Sequence, residues 1–81
     1  MVMREALRLA FGVISATDML NEREIECLQM VGNGMKSEAI GEQLKLSVHT
    51  VNAYLGSATT KLDAVNRIQA IAKAIRLGVI A

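Results

Sequence analysis

Two short helical segments joined by a tight turn constrain the fold of this chain more than any other feature. The first segment covers residues 37–44, the turn covers residues 45–47, and Ser47 is suited to cap a second helix. Helices joined this closely cross and bury the apolar side chains between them, which here are Ile40, Leu44, Leu46, Val48 and Val51. Such a bihelical unit, at about residues 37–56, is typical of domains that place the second helix in the major groove of double-stranded DNA.

The composition favours a small all-α domain. The chain has 81 residues, 52% of them hydrophobic, with no Pro and 2% aromatic residues. Its core must therefore be built from aliphatic side chains, which recur at helical spacing, while the turn pairs of β-hairpins are missing. A chain of this length forms one domain at most, and core burial in so small a domain is marginal.

Cysteine usage and hydropathy predict a cytoplasmic location without membrane association. The single Cys27 excludes an intramolecular disulfide and fits a reducing cytosol, and we expect its thiol to be buried. No apolar run reaches the roughly 18–20 residues that span a bilayer, and no signal peptide is visible.

The charge is distributed unevenly along the chain. The net charge is +1, but residues 1–35 carry three basic and five acidic side chains, whereas residues 36–81 carry six basic and three acidic ones. The positive half, at +3, coincides with the bihelical unit. We expect few phosphate contacts and weak non-specific DNA binding by one copy.

Helix start and stop signals predict four helices after an amphipathic one. Asn21 with Glu24 forms a capping box, Asn66 is a second cap, and glycines end two helices. The predicted helices cover residues 2–15, residues from 21 to the glycines at 32 and 34, residues 37–44, residues 47 to about 62, and residues 67–77. No strand is predicted, so the fold class is all-α.

The last predicted helix carries two apolar stripes. We expect Ile68, Ile71, Ala72 and Ile75 to face the core. The opposite stripe, Ala70, Ala74 and Leu77, is bordered by Arg67 and Lys73 and would allow close contact with a second copy. The alternative is that the helix over residues 2–15 covers this stripe within one chain.

The sequence resembles the LuxR/GerE-type helix-turn-helix domain over residues 20–80. The matching stretches are residues 20–28, Gly34, residues 40–47, 50–52, 61–62 and 66–80. The tail at residues 74–78 is similar to that of quorum-sensing LuxR regulators. The resemblance implies a DNA-binding domain at residues 20–81, a linker helix within residues 1–19, RNA polymerase as a partner, and a sensor domain that is not in this chain. The chain is then either a C-terminal fragment or a stand-alone member.

Two departures from the family pattern stand out: the first removes a polar contact common to these domains, and the second concerns the predicted DNA contacts. Ala39 stands where the family usually has Glu, and Asn52 and Gly56 stand where Lys or Arg is usual. The cationic base contacts of the family therefore do not carry over to this chain. What carries over is the location of the surface that faces the groove.

We predict a base-contacting face on the second helix of the bihelical unit. Its members are Asn52, Ala53, Gly56, Ser57 and Thr60. Asn52 can pair bidentately with adenine N6 and N7, which makes it the strongest base-reading side chain on this face. Gly56 would let the helix backbone approach a base edge closely; the alternatives are that the helix only tolerates it or that another helix packs there.

The predicted phosphate contacts surround this face. Ser47 is first a helix cap, and Thr50 is implied by the family resemblance. The full set is Lys36, Ser37, Lys45, Ser47, His49, Thr50 and Lys61. Tyr54 either reaches a phosphate through its hydroxyl or packs against the preceding helix, and the sequence leaves both open.

An enzyme is not predicted. One His, one Cys and scattered carboxylates offer no metal-ligand spacing, no cofactor motif and no pairing of a nucleophile with a base. Two alternatives to a quorum-sensing regulator remain. One is a protein-interaction module with an eroded helix-turn-helix that binds its partner through residues 2–15, and the other is the output domain of a response regulator.

Overall fold

The computed structural model describes residues 20–81 as four α-helices. These are α1 (Glu22–Gly32), α2 (Ser37–Leu44), α3 (Val48–Lys61) and α4 (Arg67–Arg76). The described part of the chain contains no strand, which confirms the all-α prediction. The predicted helix over residues 2–15, and with it the linker over residues 1–19, lies outside the described residues.

Three of the four helices begin at a side-chain cap that the sequence predicts. The Asn21 side chain accepts from the Glu24 N–H at 2.8 Å, and the Glu24 carboxylate accepts from the Asn21 N–H at 2.9 Å. Ser47 and Asn66 cap α3 and α4 in the same manner. Each cap satisfies an amide that the helix itself leaves unpaired, so these three helix starts are fixed locally. Lys36 precedes α2 without a side-chain cap bond.

Left-handed residues end the helices and reverse the chain. Gly34 (φ 94°) and Gly78 (φ 77°) follow α1 and α4, while Lys45 (φ 61°) and Asp63 (φ 55°) occupy the equivalent positions after α2 and α3. After α1, the Met35 N–H donates to the Met30 carbonyl at 3.0 Å, a bond of the Schellman motif. The two non-glycine residues carry the steric cost of a Cβ in this conformation.

The core lies between α1, α3 and α4, with α2 packed against α3. Its fully buried aliphatic side chains include Leu28, Ile40, Val51 and Leu55. The predicted burial of Cys27 is confirmed, and this burial raises the pKa of its thiol. Val48 is an exception to the predicted burial of apolar side chains between α2 and α3, because it begins α3 at the surface and remains 38% exposed.

Helix α4 faces the core with the stripe opposite to the predicted one. Ala70 and Ala74 are fully buried, whereas Ile68 is 81% exposed and Ile75 is also exposed. The prediction that Ala70 and Ala74 form an exposed dimer seam is therefore wrong. Leu77, the third predicted member of that seam, is 52% exposed just after the end of α4, but it is separated from the seam by the burial of the other two. Small side chains allow the α4 backbone to lie close against α1 and α3. Ile68 and Ile75 are left outside, whereas Ile71 is partly buried against the core, as the sequence predicts.

The turn between α2 and α3 depends on close backbone contact. The Leu46 N–H donates to the Gly41 carbonyl at 2.8 Å, and Gly41 is buried. A Cβ on Gly41 would lie 2.6 Å from the Leu46 carbonyl oxygen, well inside van der Waals contact. The absence of a side chain at this position therefore lets the turn close and sets how α3 leaves α2.

Candidate nucleic-acid interface

One face of α3 is exposed and lined by small polar or uncharged residues. His49, Asn52, Ala53, Gly56 and Thr60 all lie on the surface, as the sequence predicts. The opposite face of α3 carries the buried Val51, Leu55 and Ala58. One side of α3 is therefore packed in the core, and the other side is exposed to a partner. We call the exposed surface, formed by His49, Asn52, Ala53, Gly56 and Thr60, the α3 face.

Asn52 connects three helices at the edge of the α3 face. Its Oδ1 accepts a hydrogen bond from the Ser37 hydroxyl at 2.6 Å and another from the Arg67 guanidinium at 3.4 Å. Ser37 opens α2 and Arg67 opens α4, so both helix starts meet α3 at this side chain. The Asn52 carbonyl oxygen is thus engaged with protein donors.

Gly56 lies in open space at the centre of the α3 face. A Cβ built on it would meet no atom within 4 Å, so close packing of another described helix does not explain the glycine. Its carbonyl accepts from the Thr60 hydroxyl at 3.1 Å, which keeps that hydroxyl along the helix. The remaining explanations are close approach of a ligand and simple tolerance.

Ser57 and Lys61 face α1 and bind a buried carboxylate. The Ser57 hydroxyl donates to Glu24 Oε2 at 2.6 Å, and Lys61 Nζ lies 3.0 Å from Glu24 Oε1. Glu24 is only 2% exposed. The prediction that Ser57 projects from the groove-facing side is wrong in this respect, because its hydroxyl points towards the helix packed behind α3.

The Glu24 environment favours the charged carboxylate. Burial acts to raise the pKa of Glu24, but hydrogen bonds from Ser57, the Asn21 backbone and Lys61, with the charge of Lys61, outweigh burial and lower it. A buried carboxylate satisfied by several donors and one cation can remain ionised. The network therefore joins α1 to the C-terminal half of α3 through a permanent charge at neutral pH.

The predicted phosphate-contacting residues other than Lys61, which ends α3, lie around the N-terminal ends of α2 and α3. Ser47 Oγ accepts from the Thr50 N–H at 3.0 Å and donates to the Thr50 hydroxyl at 2.9 Å. Thr50 keeps its own hydroxyl hydrogen for an outside acceptor. Lys36, Lys45 and His49 are exposed. Tyr54 is half-buried against the core, which favours the packing alternative for its ring.

Arg67 is a cation at this surface that the sequence-based site does not include. Its guanidinium reaches the edge of the α3 face through Asn52, although the two residues lie on different helices. The sequence places it only at the start of the last helix, beside Asn66. Its position beside α3 follows from the packing of α4, and no motif in the sequence indicates it.

A crossed helix pair with an exposed second helix defines the class of helix-turn-helix DNA-binding domains. The comparisons then identify the family. The family model GerE, described as bacterial regulatory proteins of the luxR family, matches residues 18–74, and the chain belongs to this family of DNA-binding transcriptional regulators. The family is one of regulators rather than enzymes.

Several relatives have similar sequences. The chain is 39% identical over 66 residues to the HTH-type quorum sensing-dependent transcriptional regulator VjbR of Brucella abortus, covering 82% of this chain and 26% of VjbR. It is 41% identical over 61 residues to the transcriptional activator protein SolR of Ralstonia nicotianae, covering 75% of this chain and 26% of SolR. The chain thus spans about a quarter of the length of these relatives.

A solved structure has the same fold. The structure of the transcription factor GerE matches with a TM-score of 0.74 and 34% sequence identity, covering 76% of this chain and 92% of that chain. This match confirms the predicted four-helix domain. Separately, no helix among residues 20–81 is long and apolar enough to cross a membrane.

Proposed function

We propose that this domain is the C-terminal, DNA-binding part of a quorum-sensing transcriptional regulator that acts in the cytoplasm. The name of VjbR includes quorum sensing, and the name of SolR describes a transcriptional activator. The first name supports quorum sensing as the upstream signal, and the second supports RNA polymerase as a partner. A sensor domain elsewhere in the longer protein would receive the signal, consistent with the share of the relatives that this chain covers.

The observation that carries the proposal is the exposed α3 face, which lies beside the N-terminal ends of α2 and α3. Asn52, Ala53, Gly56 and Thr60 would contact bases, and we leave Ser57 out because Glu24 engages it. The proposed phosphate contacts are the side chains of Lys36, Lys45, His49 and Thr50, with Arg67 added. Ser37 and Ser47 would contact a phosphate through their backbone N–H groups, because their hydroxyl hydrogens are donated to Asn52 and Thr50. Lys61 serves mainly to hold Glu24, and it becomes a secondary phosphate candidate.

We propose that two copies bind a symmetric operator through an apolar stripe on α4. On α4, Ile68 is 81% exposed and Ile75 is 49% exposed, and Val65, in the turn before the helix, is 82% exposed. Burying these side chains between two copies removes apolar surface from water, and the same stripe on both copies suits a two-fold interface. The Arg67–Asn52 contact places the start of this stripe beside the α3 face, so a pair joined along α4 would present both α3 helices to one duplex.

The test is selection of bound sequences from a random duplex pool, followed by affinity measurements at several salt concentrations. We expect an enriched motif with two half-sites about one helical turn apart. With about three cations touching phosphates, the logarithm of the affinity should fall with a slope of about −3 per copy against the logarithm of salt. Lys36→Gln should reduce this slope by about one, whereas Arg76→Gln, at the far end of α4, should leave it unchanged.

The competing protein-interaction module gives the opposite result. Binding to a protein partner through an apolar surface responds weakly to salt, and no duplex sequence would be enriched. Failure to enrich any motif, together with no salt-dependent binding to duplex, would overturn the proposal.

A further inference from the structure

We propose that Asn52 is held as a hydrogen-bond donor and reads guanine rather than adenine. This inference rests on the proposed function, because it concerns the base that the α3 face selects. It differs from the adenine contact that the sequence predicts. The observation that carries it is the pair of protein donors already placed on Asn52 Oδ1.

The contact with adenine needs both ends of the asparagine amide. The carbonyl oxygen must accept from adenine N6 while the amide nitrogen donates to N7. A carbonyl oxygen has two lone pairs, and here the Ser37 hydroxyl at 2.6 Å and the Arg67 guanidinium at 3.4 Å take them. An adenine N6 hydrogen would then need to displace one of these donors.

The amide nitrogen of Asn52 remains available to a ligand. Within residues 20–81 no protein acceptor takes its hydrogens, and the residue is exposed at the α3 face. An asparagine amide can both donate and accept, but the protein leaves Asn52 able only to donate to a ligand. A base edge that offers acceptors only is its best partner.

Guanine matches this donor better than the other bases. Its major-groove edge offers O6 and N7, both acceptors, whereas cytosine offers a donor and adenine offers one of each. Thymine offers a single acceptor beside a methyl group. The positive guanidinium of Arg67, within hydrogen-bond distance of Asn52, further favours the edge with two electronegative atoms.

The experiment uses the full chain and the best site selected from the random pool. The base opposite Asn52 is located as the position where Asn52→Ala loses preference. At that position the affinities for guanine, hypoxanthine, adenine and thymine are compared. Hypoxanthine keeps the guanine O6 and N7, so we expect it to bind like guanine, and both to bind about tenfold more tightly than adenine.

A double variant tests the cause of the preference. Ser37→Ala with Arg67→Gln removes the Ser37 donor and the charged donor from Oδ1, so the discrimination between guanine and adenine should shrink at least threefold. Because Arg67→Gln also lowers affinity for every sequence, the readout is the ratio of the two affinities. Thermal unfolding of the variant checks that the fold persists, and Arg76→Gln serves as the matched charge control.

The outcomes separate this inference from the proposed function. An enriched site where the wild type prefers adenine or thymine opposite Asn52 would overturn the inference and leave DNA binding intact. If the ratio of the affinities for guanine and adenine is unchanged in the double variant, the contacts of Ser37 and Arg67 with Asn52 have a structural role only. If no site is enriched at all, the proposed function itself fails.

Discussion

A single buried carboxylate joins the first described helix to the helix that we propose enters DNA. Glu24 closes the cap of α1 and also accepts from Ser57 and Lys61 on α3. Removing one partner of such a network leaves the other polar groups unsatisfied, and that penalty exceeds the net worth of the bonds themselves. At the residue scale, Glu24 therefore determines where the C-terminal half of α3 rests on α1.

Glu24→Gln should destabilise the domain by about 2 kcal/mol at pH 7, because charge-assisted hydrogen bonds are lost. The folded-state pKa of Glu24 is lowered, so its contribution is present above the unfolded pKa and is lost as pH falls through the folded value. The difference between wild type and variant should shrink on acidification from pH 5 downward, as urea unfolding at several pH values would measure.

The exposed Glu26 provides the control for that prediction. It pairs with Arg23 at 3.3 Å on the surface, and Glu26→Gln should change stability by less than about 0.5 kcal/mol. A pH-independent difference between wild type and Glu24→Gln would show that the carboxylate charge contributes nothing.

Gly56 should separate stability from DNA binding. A side chain there meets no protein atom, so Gly56→Ala should stabilise α3 by about 0.5–1 kcal/mol through helix propensity. Gly56→Leu should keep the fold but lose specific binding, because its side chain would occupy the space a base edge needs. Thermal unfolding and duplex titration measure the two effects, and wild-type affinity in Gly56→Leu would mean that the glycine is merely tolerated.

At the element scale, the α2–α3 turn sets the angle at which α3 is presented. The chain reverses through the left-handed Lys45, and the Leu46 N–H returns to the Gly41 carbonyl. Buried Ile40 and Val51 pack on either side of this turn. A change in the turn would therefore move the whole α3 face relative to the core, and not only the residues at which it occurs.

Gly41→Ala should destabilise the domain by at least about 2 kcal/mol, although alanine is the better helix former. The added Cβ would collide with the Leu46 carbonyl at 2.6 Å, and backbone cannot yield as a flexible side chain can. Gly56→Ala makes the same chemical change on the neighbouring helix and should stabilise. Equal effects of the two substitutions in urea unfolding would contradict the proposed role of the turn.

At the scale of the whole molecule, α4 determines what the domain offers to a second copy. Its buried side carries Ala70 and Ala74, and its outer side carries Ile68 and Ile75. Lys73 donates to the Asp63 carbonyl at 2.7 Å and fixes α4 against the end of α3. The proposed dimer stripe and the α3 face are thus connected through the packing of α4 on α3.

Ile68→Glu should abolish cooperative binding to a two-half-site operator while the single domain stays folded. Two symmetry-related carboxylates would face each other, and burial worth about 1.5–3 kcal/mol per isoleucine would be lost. Leu77→Glu, beyond the end of α4 and away from this stripe, is the control and should retain cooperativity. Titration of duplexes with one and with two half-sites measures the cooperativity of binding. Cooperative binding by Ile68→Glu would place the dimer contact elsewhere.

Helix boundaries and buried faces that depend on local chemistry could be predicted from the order of residues alone. The caps Asn21, Ser47 and Asn66 and the left-handed Gly78 specify helix boundaries through bonds within a few residues, so reading them needed no fold. The spacing of the aliphatic side chains likewise placed Val51 on the buried side of α3, where Leu55 and Ala58 are also buried. The same periodicity placed Asn52, Gly56 and Thr60 on the exposed side of α3.

Contacts between residues far apart in the chain could not be predicted in this way, because they depend on how the helices pack. Both sides of α4 are apolar, and the close approach of α4 to α1 and α3, which buries Ala70 and Ala74 fully and Ile71 only in part, decided which side is buried. The partners of Glu24 lie 33 and 37 positions away, and Arg67 meets Asn52 across 15 positions. Short-range patterns specify where helices begin and which face is apolar, whereas polar pairing across helices depends on how the helices pack together.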